Sequence, residues 1–205
     1  MTELKLEGVH KSYGAIKVLE EVSFELRRGD SLCVVGRSGC GKSTLLKLIA
    51  LITEPDRGVV SIDGVDTTIA GAGELDTLRS RNIAYSFQEP LLLPYLNSLE
   101  NLTEVLDVHR SEAVELLTEF GLADRLGQKP SKLSVGEKKR IDIARALLRG
   151  SPVIVADEPL SNLDHATGEK VIMKLRDHAT KGGILVFSSV DAAESRYAER
   201  TLQMT

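Results

Sequence analysis

Residues 32–44 read Leu32-Cys33-Val34-Val35-Gly36-Arg37-Ser38-Gly39-Cys40-Gly41-Lys42-Ser43-Thr44, and the rest of the chain is interpreted outward from them. The first four form a continuous apolar run, the pattern of a strand covered on both faces. The next eight fit the spacing G-x-x-x-x-G-K-[ST]. Glycines let backbone N–H groups curl round a β-phosphate, and a helix starting at Lys42 aims the positive end of its dipole at the same point. The Lys42 ammonium reaches the β- and γ-phosphates, and the Ser43 hydroxyl is a ligand for Mg²⁺. Strand, glycine loop and amphipathic helix in this order predict a cradle for Mg-ATP. Its residues are Gly36, Arg37, Ser38, Gly39, Cys40, Gly41, Lys42, Ser43 and Thr44.

Upstream of the loop, Leu4 to Val9 and Val18 to Leu26 read as strands, with turns at Gly14 and Gly29-Asp30. Downstream, the helix from Lys42 runs to about Ile52 and stops near Pro55. Gly58 to Gly64 is a strand and turn, and Ile83 to Phe87 another strand. Between Gln88 and Leu133 the pattern turns helical. Ser98 to Val108 is one expected helix. Ser111 to Phe120 is a second, with Ser111 as N-cap and Gly121 as its stop. A helix from Ser134 to Arg149, the strand Val153 to Ala156, a helix from about Thr167 to Thr180 and the strand Ile184 to Phe187 follow. A short helix and a strand near Thr201 to Met204 end the chain. Strands alternating with helices imply an α/β domain with a mostly parallel sheet, into which residues 89–132 are inserted as a helical segment.

Val153-Ile154-Val155-Ala156-Asp157-Glu158-Pro159 places two carboxylates where a buried strand emerges. Ligands of parallel α/β sheets sit at such strand ends. There Asp157 can hold Mg²⁺ through water, and Glu158 can orient or deprotonate an attacking water. A solvated turn after a core strand is the plainer alternative, disfavoured by the phosphate loop in the same chain.

Composition sets bounds. At 205 residues with 42% hydrophobic and 27% charged residues, the chain fits one soluble domain with a packed core. A net charge of −4 gives no electrostatic reason to expect a nucleic-acid partner. The longest apolar stretches, such as Leu45 to Ile52 (interrupted by Lys47), are far below the ~20 residues that span a bilayer, and Met1-Thr2-Glu3-Leu4-Lys5 lacks a leader pattern. Any membrane role therefore comes through a partner chain. Cys33 and Cys40 read as reduced thiols, and the four histidines, His10, His109, His165 and His178, as scattered surface residues.

Leu133-Ser134-Val135-Gly136-Glu137 narrows the class, because it resembles the LSGGQ signature of ABC ATPases. The following Lys138 to Leu147 also continues in that family's pattern. Ser134 with Glu137 is at the same time a capping box, and the two readings are compatible. The resemblance runs essentially end to end. It implies a P-loop NTPase fold with a RecA-like core and an N-terminal antiparallel β subdomain in residues 1–88 and 133–205, plus a helical subdomain in 89–132. It also implies a head-to-tail dimer with two ATP molecules at the interface. Lys42, Gln88 and Glu158 would act from one subunit, with Ser43, Gln88 and Asp157 on the metal. Ser134, Gly136 and Glu137 would face the other subunit's nucleotide. Tyr13 resembles the aromatic that stacks on adenine, an ordinary strand-end tyrosine being the alternative. Ser161-Asn162-Leu163-Asp164 resembles the loop that reaches across the dimer. Leu91 to Leu102 and Asn162-Leu163-Asp164 look most like the lipoprotein-release, macrolide-exporter and cell-division cassettes. That likeness implies an integral membrane permease-type partner and a peripheral place on the cytoplasmic face of the membrane. Leu91 to Leu96 either lines a groove for that partner or packs in the helical segment.

Three positions depart from the family: Val135 and Glu137 stand for a glycine and the glutamine of the signature, which are milder changes, and the third follows the strand at Ile184. After Ile184 to Phe187 the family has a switch histidine followed by aspartate. Here the run is Ser188-Ser189-Val190-Asp191, and Val190 stands where the histidine is expected. Valine donates no hydrogen bond, so slow hydrolysis is one expectation. A module that closes on ATP and signals with little hydrolysis is the alternative.

Overall fold

The computed structural model describes residues 3–205; the part of the leader-pattern reading that concerns Met1 and Thr2 lies outside the described residues. Strands β1 (Glu3–Tyr13) and β2 (Ile16–Arg27) form an antiparallel hairpin, joined to β4 (Arg57–Ile62) and β5 (Val65–Asp66) in the order β2-β1-β4-β5. Leu4 and Leu6 point inward with strand period. A register shift between Leu6 and Val9, where Gly8 takes a φ of 55°, turns Val9 inward as well.

The second sheet holds β6 (Ile83–Ser86), β7 (Val153–Ala156), β8 (Ile184–Ser189), β3 (Ser31–Val35) and β9 (Arg200–Gln203), in that spatial order and all parallel. Every residue of β3, β7 and β8 is buried, as expected of strands covered on both faces. Alternate residues serve two cores. Cys33, Val35, Ile154, Ala156, Leu185 and Phe187 pack toward helices α4 (Arg110–Glu119), α5 (Val135–Leu148) and α6 (His165–Thr180). Leu32, Val34, Val153, Val155, Ile184 and Val186 pack toward α1 (Lys42–Ile49) and the antiparallel sheet. Each valine, leucine, isoleucine or phenylalanine among them contributes about 1.5–3 kcal/mol when fully buried, so the central strands fix the frame on which the loops are hung.

Three expectations need correction. Ser98 to Val108 is not one helix: only α3 (Glu100–Thr103) is helical. Ser98 is drawn instead into tertiary bonds, its N–H and hydroxyl both donating to the Gln128 carbonyl. Ser111 is not the N-cap of α4, which starts at Arg110 behind an extended His109 with no side-chain cap. His178 is half-buried, with Nε2 3.3 Å from the Pro152 carbonyl. In addition, α2 (Ala72–Asn82) occupies a stretch with no expected element. Both cysteines are free thiols, and burial pushes that of Cys33 up to about 12. No helix among the described residues is long and apolar enough to cross a membrane.

Candidate active site

Parallel register brings four strand ends to one edge. Ser86 lies beside Ala156, Ala156 beside Phe187, and Val34 and Val35 beside Ser188 and Ser189. The segments that leave this edge are those singled out by motif: the glycine loop after β3, Gln88 after β6, Asp157-Glu158 after β7 and Val190 after β8.

The loop ends on Gly41, whose φ of 101° is left-handed, and α1 begins directly behind it. Lys42 is almost wholly buried, with its ammonium donating to the carbonyls of Gly36 (2.9 Å) and Arg37 (3.1 Å). Arg37, Ser38 and Gly39 are exposed, and Ser43 and Thr44 partly so, on the first turn of α1. Glu158 Oε1 stands 3.8 Å from Lys42 Nζ, and Gln88 Nε2 is 3.5 Å from Glu158 Oε2. Glu158 holds a φ of 46°, a left-handed conformation that costs about 1–2 kcal/mol in a non-glycine residue. That conformation turns the chain sharply after Asp157, at the point where its carboxylate meets Lys42 and Gln88.

Asp157 is 2% exposed. Its Oδ1 accepts from the Ser188 hydroxyl at 2.6 Å, and the same hydroxyl accepts from the Glu158 N–H at 2.9 Å. Ser188 thus holds both acidic residues, a role its place in the sequence does not reveal. Mg²⁺ prefers hard oxygen ligands and keeps several waters. The Ser43 hydroxyl, the Gln88 amide oxygen and the Asp157 carboxylate, one of whose oxygens is taken by Ser188, supply a donor set of that kind.

The N-terminus of α5 carries the expected capping box. Ser134 Oγ accepts from the Glu137 N–H at 3.2 Å, and Glu137 Oε2 accepts from the Ser134 N–H at 2.7 Å. Glu137 Oε1 also meets Arg125 at 2.8 Å, so its charge is matched within the chain. The Ser134 N–H and Arg125 hold its carboxyl below the usual carboxylate range. Gly136 packs so closely on the loop before α6 that an added Cβ would lie 2.5 Å from the Asn162 carbonyl oxygen. Asp164 caps α6, accepting from the Thr167 N–H at 3.0 Å.

Tyr13 is 51% exposed at the tip of the β1–β2 hairpin, with Lys11 Nζ 5.8 Å from its ring centroid. Val190 is 57% exposed beyond the end of β8. The neighbouring serines are already engaged: Ser189 Oγ donates to Glu194 Oε2 at 2.7 Å and accepts from the Asp191 N–H at 2.9 Å. A cavity of about 750 Å³ lies among Ile52, Arg79, Tyr85, Phe87, Val105 and Arg149, and Leu91 to Leu96 are not among the residues that line it.

A strand, a glycine loop opening a helix, and paired carboxylates at the same edge of a parallel sheet define a P-loop nucleotide-binding domain. The sequence profile of the ABC transporter family matches residues 19–161. The lipoprotein-releasing system ATP-binding protein LolD of Bacteroides thetaiotaomicron is 38% identical over 211 residues, covering 98% of this chain and 96% of the relative. The macrolide export ATP-binding/permease protein MacB of a Shewanella species is 34% identical over 98% of this chain, which spans only 33% of that longer relative. Among solved structures, the ATP-binding cassette MJ0796, in a dimeric post-hydrolysis state bound to ADP and Pi, superposes with a TM-score of 0.90 at 32% identity, covering 98% of this chain and 94% of that one. The chain belongs to the ABC transporter family, as an ATP-binding cassette.

Proposed function

We propose that the chain is the ATP-hydrolysing subunit of a membrane-bound transport or mechanotransmission complex, working as a head-to-tail dimer with two Mg-ATP at its interface. The amides of residues 36–44 and the Lys42 ammonium hold the phosphates, and Tyr13 stacks on the adenine. Ser43, Asp157 and Gln88 would hold Mg²⁺, which supplies charge neutralisation at the transferring phosphoryl group. Glu158 takes the proton of the attacking water, oriented by Gln88. Ser134 and Gly136 of each subunit cap the nucleotide of the other, with Glu137 fixing the Ser134 backbone, and Asp164 lies in the loop that crosses the interface. Catalysis is then mainly positioning and charge stabilisation. Residues 89–132 form the helical part of a single domain.

The reading rests most on the contact of Glu158 with both Lys42 (3.8 Å) and Gln88 (3.5 Å), which joins three separate motifs in one place. The dimeric state of MJ0796 and the names of LolD and MacB support the assembly and the membrane setting. The cavity lined by Ile52, Phe87, Val105 and Arg149 is mostly apolar, with Arg79, Arg149 and Asp76 also in its lining, and suits a segment of a permease subunit. Such docking would keep the cassette on the cytoplasmic face of the membrane.

A second reading, an ATP-gated dimerising module with little hydrolysis, is favoured by the exposed valine at position 190. One experiment addresses both. Glu158→Gln is expected to bind Mg-ATP and accumulate as a dimer on size exclusion while phosphate release stops. Undiminished phosphate release removes Glu158 from its role, and absence of release from the native protein selects the second reading. Lys42→Ala, in parallel, should lose nucleotide affinity.

A further inference from the structure

Around the end of β6 the buried polar groups are engaged, with one exception. Lys139, at 1% exposure on α5, donates to the carbonyls of Phe87 (2.7 Å), Gln88 (3.3 Å) and Asp157 (2.6 Å). Asp142, also buried, accepts from Ser86 (2.7 Å) and Arg145 (2.6 Å). The exception is the Tyr85 hydroxyl, the one buried side-chain polar atom among the described residues with no hydrogen-bond partner. A buried hydroxyl without a partner costs stability, and phenylalanine would fill the same space without that cost. The oxygen therefore calls for a reason.

Sheet register shows what stands near it. Tyr85 is the partner of Val155, and both pack into the core on the α1 side. Asp157 lies two residues beyond Val155, and its N–H continues the ladder by donating to the Ser86 carbonyl at 2.9 Å. Strand period puts the Asp157 side chain on the face that carries Tyr85. α1, whose first turn holds Ser43, covers that same face. The Tyr85 ring is steadied by Phe87, edge-on at 4.5 Å between centroids. Burial first, and then the nearby Asp157 carboxylate, push the Tyr85 hydroxyl above the usual phenol range, so it stays neutral. No full hydrogen bond closes between the two. Ser188 already holds one oxygen of that carboxylate.

Mg²⁺ keeps several of its waters when it binds through one or two carboxylates, and each such water has two protons to place. We propose that Tyr85 is a positioning residue of the Mg²⁺ site: its phenolic oxygen accepts from a metal-bound water whose other proton goes to Asp157. The bond gives the hydroxyl the partner that no other side chain supplies, and it fixes the water between Asp157 and the metal. Partners one shell out from a metal are typically worth about 10–100-fold in its affinity. The inference rests on the assignment of Asp157 to Mg²⁺ made above.

The test is calorimetric affinity for a non-hydrolysable ATP analogue, with Mg²⁺ and with a chelator, together with urea unfolding without nucleotide. It compares the native protein with Tyr85→Phe and Asp157→Asn. Tyr85→Phe removes one oxygen and keeps the ring. It is expected to hold metal-free affinity within about twofold and to lose about tenfold of the affinity gained on adding Mg²⁺. Its urea midpoint should equal or exceed the native one, because an unpartnered hydroxyl is gone. A full Mg²⁺ gain in Tyr85→Phe overturns the proposal. So does an equal loss with and without Mg²⁺ beside a lowered urea midpoint, since the hydroxyl then serves packing alone. Asp157→Asn separates this proposal from the site reading. If it loses the Mg²⁺ gain while Tyr85→Phe keeps it, only the role of Tyr85 fails. If it keeps the gain, the assignment of Asp157 to the metal fails and the proposal with it.

Discussion

Replacing Ser188 by alanine removes one buried hydroxyl that serves two partners. The side chain is 0% exposed, donates to Asp157 Oδ1 at 2.6 Å and accepts from the Glu158 N–H at 2.9 Å. A buried N–H left without an acceptor costs about 1–3 kcal/mol, and a hydrogen bond to a charged group is worth about 1.5–3 kcal/mol. With local relaxation, the expected loss of stability is about 3 kcal/mol, a large share of the roughly 5–15 kcal/mol that holds a typical domain. At a urea m-value of about 3 kcal/mol/M, the midpoint should fall by about 1 M. Function should change in a distinct pattern. The phosphate loop has no bond to Ser188, so nucleotide affinity without Mg²⁺ should persist. The gain in affinity on adding Mg²⁺ should shrink, because the Asp157 carboxylate loses its anchor, and turnover should fall at least tenfold as Glu158 is released from its left-handed turn. Urea unfolding, fluorescent-nucleotide binding with and without Mg²⁺, and phosphate release measure all three. A midpoint shift below about 0.3 M with native turnover would refute the reasoning, since it would mean that the hydroxyl bears neither load.

Val190→His should raise turnover by ~10²–10³, the usual worth of one preorganised donor to a developing charge; phosphate release unchanged by the substitution removes Val190 as a determinant of the rate. Gly136→Ala should destabilise the fold by about 1–3 kcal/mol, as overpacking does, because its Cβ would sit 2.5 Å from the Asn162 carbonyl oxygen. It should also impair ATP-driven dimerisation more than binding to the monomer, and a native midpoint with native dimerisation counts against that packing. His178 gives a pH dependence. Burial lowers its pKa below the ordinary 6.5, partly offset by the Pro152 carbonyl. The unfolded chain therefore takes up the proton first, so this residue's stability contribution is full above pH 6.5 and is lost as pH falls through 6.5 toward the folded value. Thermal melts between pH 7.5 and 5.5 should show the native protein losing more than His178→Gln; parallel losses exclude the histidine.

The nucleotide site was legible where its chemistry is contiguous. Gly36 to Ser43, directly behind the end of β3, carries loop and helix start in eight residues, and Ser134 with Glu137 reports a helix start through the same bonds that the structure contains. The buried strands β3, β7 and β8 announced themselves as unbroken apolar runs. By contrast, α2 has no buried residue and hence no apolar stripe to read. The expected helix from Ser98 is only Glu100–Thr103, and its start is tied through the Ser98 and Leu99 N–H groups to the carbonyls of Gln128 and Leu126, distant partners that no local rule names.

What the amino-acid order pointed to by itself was the class of ligand, since a glycine loop ending in Lys42 and Ser43 at fixed spacing is the pattern of a nucleotide-binding loop and needs no reference to distant residues. What only the tertiary structure decided was how separate motifs meet: Glu158 against Lys42 and Gln88, Ser188 beneath both carboxylates, and Lys139 across three carbonyls. Those contacts depend on the strand order β6-β7-β8-β3 and its parallel register. Order and register follow from how two hydrophobic cores are filled on either side of one sheet, a property of the whole chain that no short segment encodes.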